Sequence, residues 1–110
     1  MIQDITSLEN LKEIIQNNDG ALIYFSHEQC NVCKVLKPKV ENMLEENFPK
    51  IKMFYSDTVK FPEIAAQNSI FTVPTIIIYI DNKEFLRVSR NVSIVDLIDK
   101  IKRPYDLMFG

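Results

Sequence analysis

No tryptophan occurs in the 110 residues, and glycine, cysteine and histidine are scarce, at two, two and one. Two cysteines are too few for a secreted scaffold held together by disulfides. Together with the single histidine, His27, they also fall short of the four ligands a structural zinc site needs within one chain. Neither sign of charge dominates, since 13 Lys and Arg stand against 15 Asp and Glu for a net charge of −2. A phosphate backbone wants a clearly basic face, so nucleic acid is not an expected partner. No apolar run approaches the ~20 residues of a membrane helix, so no membrane association is expected. The opening stretch, MIQDITSLENLKE, lacks the basic and apolar regions of a secretory signal, so a cytoplasmic location is expected, and the bare domain points to a bacterial source. There is no internal repeat, low-complexity tract or long linker. A single domain, expected to be a monomer, can bury about two-thirds of its unfolded surface at this length.

What is present alternates between helix and strand. Thr6-Ser7-Leu8-Glu9 has the form of a capping box with Thr6 as N-cap, and Leu8, Leu11, Ile14 and Ile15 follow at helical spacing. Asp19-Gly20 ends that helix, and Ala21 to Phe25 is a short apolar run suited to a strand covered on both faces. A second helix is expected from about Cys30 to Asn47, with Val32, Leu36, Val40, Met43 and Leu44 inward and a kink at Pro38. Ile51 to Tyr55 reads as a strand, and Phe61-Pro62-Glu63 as the start of a short helix reaching about Asn68. Phe48, Phe54, Phe61 and Phe71 are expected to pack in the core or at its rim. Thr75 to Ile80 is the most strand-like segment, and Asp81-Asn82-Lys83 turns it into a partner strand from Glu84 to Val88. Ser93-Ile94-Val95-Asp96 caps a last helix that Pro104 should stop, leaving a tail from Tyr105 to Gly110. Its apolar residues should fold back onto the sheet edge. Parallel strands joined through helices, plus one closing hairpin, give an α/β domain: a mixed central sheet of about four strands with helices on both faces.

The chemistry concentrates in C-N-V-C, Cys30 to Cys33, placed directly after a strand and at the start of a helix. Spacing of i, i+3 puts both sulfurs on one helical face, within reach of a disulfide. At the first turn, unpaired N–H groups and the helix dipole favour an anion, which lowers the pKa of the Cys30 thiol. Cys30 then fits the attacking thiolate and Cys33 the resolving thiol of thiol–disulfide exchange. Two other readings stay open at this point. The cysteines can be inert core thiols, or a metal can bridge two copies of the chain, each supplying part of a ligand set.

The run ALIYFSHEQCNVCKVLKP, with Pro38 five residues after the second cysteine, resembles the thioredoxin family, as does Val73-Pro74-Thr75 ahead of an apolar strand, a turn, a strand and a helix. The resemblance runs over nearly the whole chain, and the expected division is a thioredoxin-like domain of residues 1–103 with 104–110 as a C-terminal tail. It implies a thioredoxin-like fold and a Val73–Pro74 peptide that is cis and lies beside Cys30. It further implies that the Val73 backbone pairs with an extended substrate segment by strand addition. The activity implied is that of a dithiol–disulfide oxidoreductase acting on protein disulfides without a bound cofactor, reset by a reductase or dithiol.

The departures from the family pattern are specific. Asn31 and Val32 replace the glycine and proline usual between the cysteines, and Gln29 and Ser26 replace aromatic residues. Tyr24 stands where the family has a buried aspartate beneath the second cysteine, and Met53 where it has a lysine. With an ordinary pKa near 10, Tyr24 is a poor base at neutral pH, so slow resolution of mixed disulfides is expected. Plain packing with a hydrogen-bonded hydroxyl is the simpler role for Tyr24. Arg90 aligns with a glycine that admits substrate backbone, and either narrows the substrate surface, recruits an acidic partner or is merely solvated. His27 either adds positive charge near Cys30 or is an ordinary loop residue. The lysines of the second helix, Lys34, Lys37 and Lys39, read as its solvated side. A thioredoxin-fold binding or adaptor module with little redox turnover is the alternative function.

Overall fold

The computed structural model describes residues 2–110. In chain order the elements are β1 (Gln3–Asp4), α1 (Leu8–Asn17), β2 (Gly20–Ser26), α2 (Asn31–Asn47), β3 (Lys52–Asp57), α3 (Pro62–Gln67), β4 (Thr75–Ile80), β5 (Lys83–Ser89) and α4 (Ile94–Phe109). They form one mixed sheet in the order β1-β3-β2-β4-β5. The parallel pairs are β1 with β3 and β3 with β2, while β4 runs antiparallel to both β2 and β5. Five strands therefore stand where about four were expected. The extra one, β1, has two exposed residues and is fixed by its ladder to β3, which Ile5 extends with an N–H bond to the Tyr55 carbonyl at 2.8 Å.

Every residue of the central strand β2 is buried, in keeping with its apolar run. Alternate side chains feed two cores. Leu22 and Tyr24 join Cys33, Val40, Met43 and Leu44 of α2 and Leu97 and Ile101 of α4. Ala21, Ile23 and Phe25 join Leu11 and Ile14 of α1 and Ile64 and Ala65 of α3. The hairpin between β4 and β5 turns on Asp81 and Asn82, both left-handed, at φ 54° and 64°. Two positive φ values in succession match the twist of the flanking strands.

Several local expectations are corrected. The first helix is capped one residue later than the pattern indicates: the Ser7 side chain accepts from Asn10 N–H at 2.9 Å, while Thr6 N–H donates to the Asn10 side chain. Glu9, in the first turn, is thus not the reciprocal partner. Val32 does not face inward but is 65% exposed, and it is its neighbour Cys33, 1% exposed, that the first turn of α2 gives to the core. Pro104 does not stop the last helix, which continues to Phe109. A proline inside a helix loses one backbone hydrogen bond and crowds the preceding turn. Packing offsets that cost here: Tyr105 lies edge-on to Phe48 with ring centroids 5.0 Å apart and Phe109 tilted against it at 4.8 Å. The Tyr105 hydroxyl also accepts from Lys50 N–H at 3.1 Å. Tyr105 and Phe109 do turn back onto the domain, within a helix rather than an irregular tail, while Leu107 and Met108 stay exposed. A methyl group on Gly20 would sit 3.0 Å from Ile51 and 3.3 Å from the Phe109 ring, so this close approach is the reason for glycine there.

Candidate active site

Residues 27–30 carry the chain from the buried end of β2 into α2 through a tight turn. Cys30 N–H donates to the His27 carbonyl at 3.2 Å, and Gln29 N–H donates to His27 Nδ1 at 3.1 Å. His27 thus shapes the turn with both its backbone and its ring. Cys30 is the N-cap of α2, and its Sγ accepts the Cys33 N–H at 3.2 Å. A serine or aspartate oxygen ordinarily fills that role. A sulfur placed there receives an N–H dipole and the positive end of the helix, both of which favour a thiolate when the pair is reduced. Cys30 and Cys33 form a disulfide across a Cα–Cα distance of 5.2 Å. Cys30 is half-buried, whereas Cys33 is 1% exposed and belongs to the core. That difference suits an accessible sulfur that meets substrate first and a sheltered one that acts second.

Beneath the disulfide lies Tyr24, fully buried, whose hydroxyl donates to the Cys33 carbonyl at 2.8 Å. Burial pushes its pKa above the ordinary tyrosine value, and the neighbouring Tyr55 adds to the shift. A phenol held protonated and already donating cannot take a proton from a thiol at neutral pH. Next to it in register, on β3, is Tyr55, and Met53 lies opposite Leu22. Ser26 closes the same end of the strand, its hydroxyl donating to the Tyr55 oxygen at 3.4 Å.

The loop before β4 carries the cis Val73–Pro74 bond. Pro74 is buried and Val73 half-buried. The Pro74 carbonyl accepts from Arg90 N–H at 2.9 Å, which ties the loop to the end of β5. Arg90 itself is exposed with φ 64°, a left-handed conformation that a glycine would take without strain. Val73 shares a groove of about 340 Å³ with His27, Pro62, Ala66 and Phe71. Phe71, read from the sequence as packing, is 88% exposed and lies beside this loop instead. Asn31 and Val32 are both exposed on the first turn of α2. Among the described residues there is no cluster of three or more metal-ligating side chains. Among the same residues no helix is long and apolar enough to cross a membrane.

An α/β sheet with a disulfide at a helix N-terminus and a cis-proline loop is the thioredoxin-like arrangement. The chain belongs to the thioredoxin family, whose model, Thioredoxin, matches residues 3–103. The Thioredoxin-like protein YdfQ of Bacillus subtilis is 36% identical over 104 residues, covering 94% of this chain and 92% of that one. A thioredoxin of Chlamydia trachomatis is 34% identical over 102 residues, covering 93% and 94%. The crystal structure of Fasciola hepatica thioredoxin superposes with a TM-score of 0.82 at 26% identity, covering 93% of this chain and 98% of the other. Family membership and the close cysteine pair together support thiol–disulfide oxidoreductase chemistry.

Proposed function

We propose that this chain reduces or exchanges disulfides in protein substrates, with Cys30 as nucleophile and Cys33 as resolving thiol. The Cys30 thiolate attacks one substrate sulfur, forming a mixed disulfide and releasing the other substrate sulfur as a thiolate. Cys33 then attacks Cys30 Sγ, which breaks the mixed disulfide and frees the second substrate thiol. Two electrons pass from the dithiol to the substrate, and a reductase or small dithiol returns them to the oxidised pair. The observation that carries this reading is Cys30 at the N-cap of α2, with the Cys33 N–H on its sulfur. No cofactor is required, and a cytoplasmic location fits a pair that must be kept reduced.

In this reading the substrate lies along the loop of Val73 and Pro74, its backbone pairing with Val73. Exposed Val32 and Phe71 give that surface an apolar character. Arg90, at the far side of the loop, narrows the approach. Partner affinity unchanged in Arg90→Gly would remove it from the substrate surface. Asn31 and Val32 between the cysteines, and His27 in the turn before them, are the remaining tuning positions. A Cys30 pKa unaltered in His27→Ala excludes His27.

The decisive experiment is trapping with Cys33→Ser, which stops the second step. Covalent mixed disulfides through Cys30, released by dithiol, are expected. A second reading, an adaptor with little turnover, draws on Tyr24 where the family has an acid. It predicts only non-covalent complexes in the same trap.

A further inference from the structure

Of the three lysines that follow the disulfide on α2, Lys34 and Lys39 are exposed but Lys37 is not. Lys37 is half-buried, with its Nζ 4.1 Å from the centre of the Tyr55 ring. A cation over an aromatic face is attracted to it, which holds the long side chain against β3 instead of leaving it in solvent. Lys37 stands four residues after Cys33 and so shares its face of the helix. Cys33, Lys37, Tyr55 and Ser26 all line one cleft of about 570 Å³. Tyr55, which seats the ammonium, pairs in register with Tyr24, which holds the Cys33 carbonyl.

We infer that Lys37 is a positioning charge for the resolving thiol, its ammonium favouring the Cys33 thiolate where Tyr24 offers no carboxylate. The inference rests on the redox reading above. Before it attacks, Cys33 releases its proton to water in the cleft. Its electron pair forms the bond to Cys30 Sγ while the bond from Cys30 to substrate breaks, and the departing substrate thiolate takes a proton from solvent. No oxidant beyond the substrate disulfide enters.

The other charged groups lining this cleft are Asp4 on β1, Glu28 in the turn, Asp57, Lys60, and Lys34 next to Cys33, and Lys37 is the one held over the Tyr55 ring. His27 is engaged by Gln29 N–H. Asp57 on β3 is committed, its Oδ1 accepting from Val59 N–H at 2.9 Å and Lys60 N–H at 3.0 Å. The two tyrosines, Tyr24 and Tyr55, face Cys33 from the sheet with phenols whose pKa burial raises, so they add no negative charge at neutral pH.

In a Cys30→Ser background Cys33 is the sole thiol, and its thiolate absorbance can be followed against pH. Lys37→Met is expected to move the midpoint upward by about one unit, as removal of a nearby opposite charge does. Lys37→Arg should restore it. Tyr55→Leu, which keeps the lysine but removes its seat, should give a smaller upward shift. In the protein with both cysteines, the pH profile of mixed-disulfide resolution should move in the same direction. A midpoint that stays in place in both Lys37→Met and Tyr55→Leu overturns the role of Lys37 while leaving Cys30 chemistry standing. Failure of Cys33→Ser to trap any mixed disulfide would instead overturn the redox reading itself.

Discussion

Successive residues of β2 go to opposite sides of the sheet, and the two sides carry different things. Toward α1 and α3 lie Ala21, Ile23 and Phe25, packed against aliphatic and aromatic side chains. Of the buried hydroxyls on that side, Thr75 Oγ1 donates to the Thr72 carbonyl at 2.7 Å, while Ser56 Oγ has no hydrogen-bond partner among the described residues. Toward α2 and α4 lie Leu22, Tyr24 and Ser26, and here the hydroxyls have named partners, one of them the Cys33 carbonyl. One side holds the sheet together; the other also holds the sulfurs at the helix start and borders them with phenols and an ammonium.

The sharpest way to break that division is to damage the packing side alone. Ile23→Ala deletes a fully buried side chain and should cost about 3 kcal/mol, within the usual range for such cavities. Denaturant unfolding measures the loss, and the disulfide-exchange rate per folded molecule should stay near the parent value. A large drop in that rate would show that the two sides are mechanically coupled. Tyr24→Phe tests the other side. It leaves the packing intact, removes the donor to the Cys33 carbonyl and should cost about 1 kcal/mol.

Alkaline pH acts on both sides, since Tyr24 and Tyr55 lie toward α2 and α4 and Tyr79 packs with the other core. Tyr24, Tyr55 and Tyr79 all have pKa values raised in the fold, chiefly by burial. A raised pKa means the folded state holds the phenol proton more tightly than the unfolded chain does. That stability is fully present below about pH 10 and is lost as pH climbs from there through the folded values. Unfolding free energy measured against pH should therefore fall on the alkaline limb, and Tyr24→Phe should make that limb shallower. An unchanged slope would mean that Tyr24 titrates as an exposed phenol. The smallest effect belongs to Ser56→Ala, which removes an unpartnered buried hydroxyl and should raise stability by less than about 1 kcal/mol. A loss on the scale of Ile23→Ala would mean that the hydroxyl has a partner after all.

Much of this arrangement could be read from the chain because it is local. The C-N-V-C run at a strand–helix junction, the β-branched run of β4 and the Asp81-Asn82 turn each state their geometry within a few residues. The missing acid under Cys33 was equally legible, since Tyr24 occupies one fixed place in the strand. What escaped depends on distant partners. β1 has only Gln3 and Asp4, with no apolar alternation, and exists because β3 offers an edge. The continuation of α4 through Pro104 rests on Phe48 and Lys50, more than fifty residues away in sequence. Lys37 looks like any solvated lysine until β3 brings the Tyr55 ring beneath it. Phe71 failed for the opposite reason, since an aromatic residue is expected to be buried and nothing nearby in sequence shows that this one is not.

The last turn of α4 bears on how the domain can be cut and joined. The family pattern ends at residue 103, yet Tyr105 and Phe109 close over Phe48, Gly20 and Ile51. A chimera spliced at Pro104 would expose that aromatic cluster and leave an open notch where Gly20 has no side chain of its own. The physical seam for grafting another module lies after Phe109.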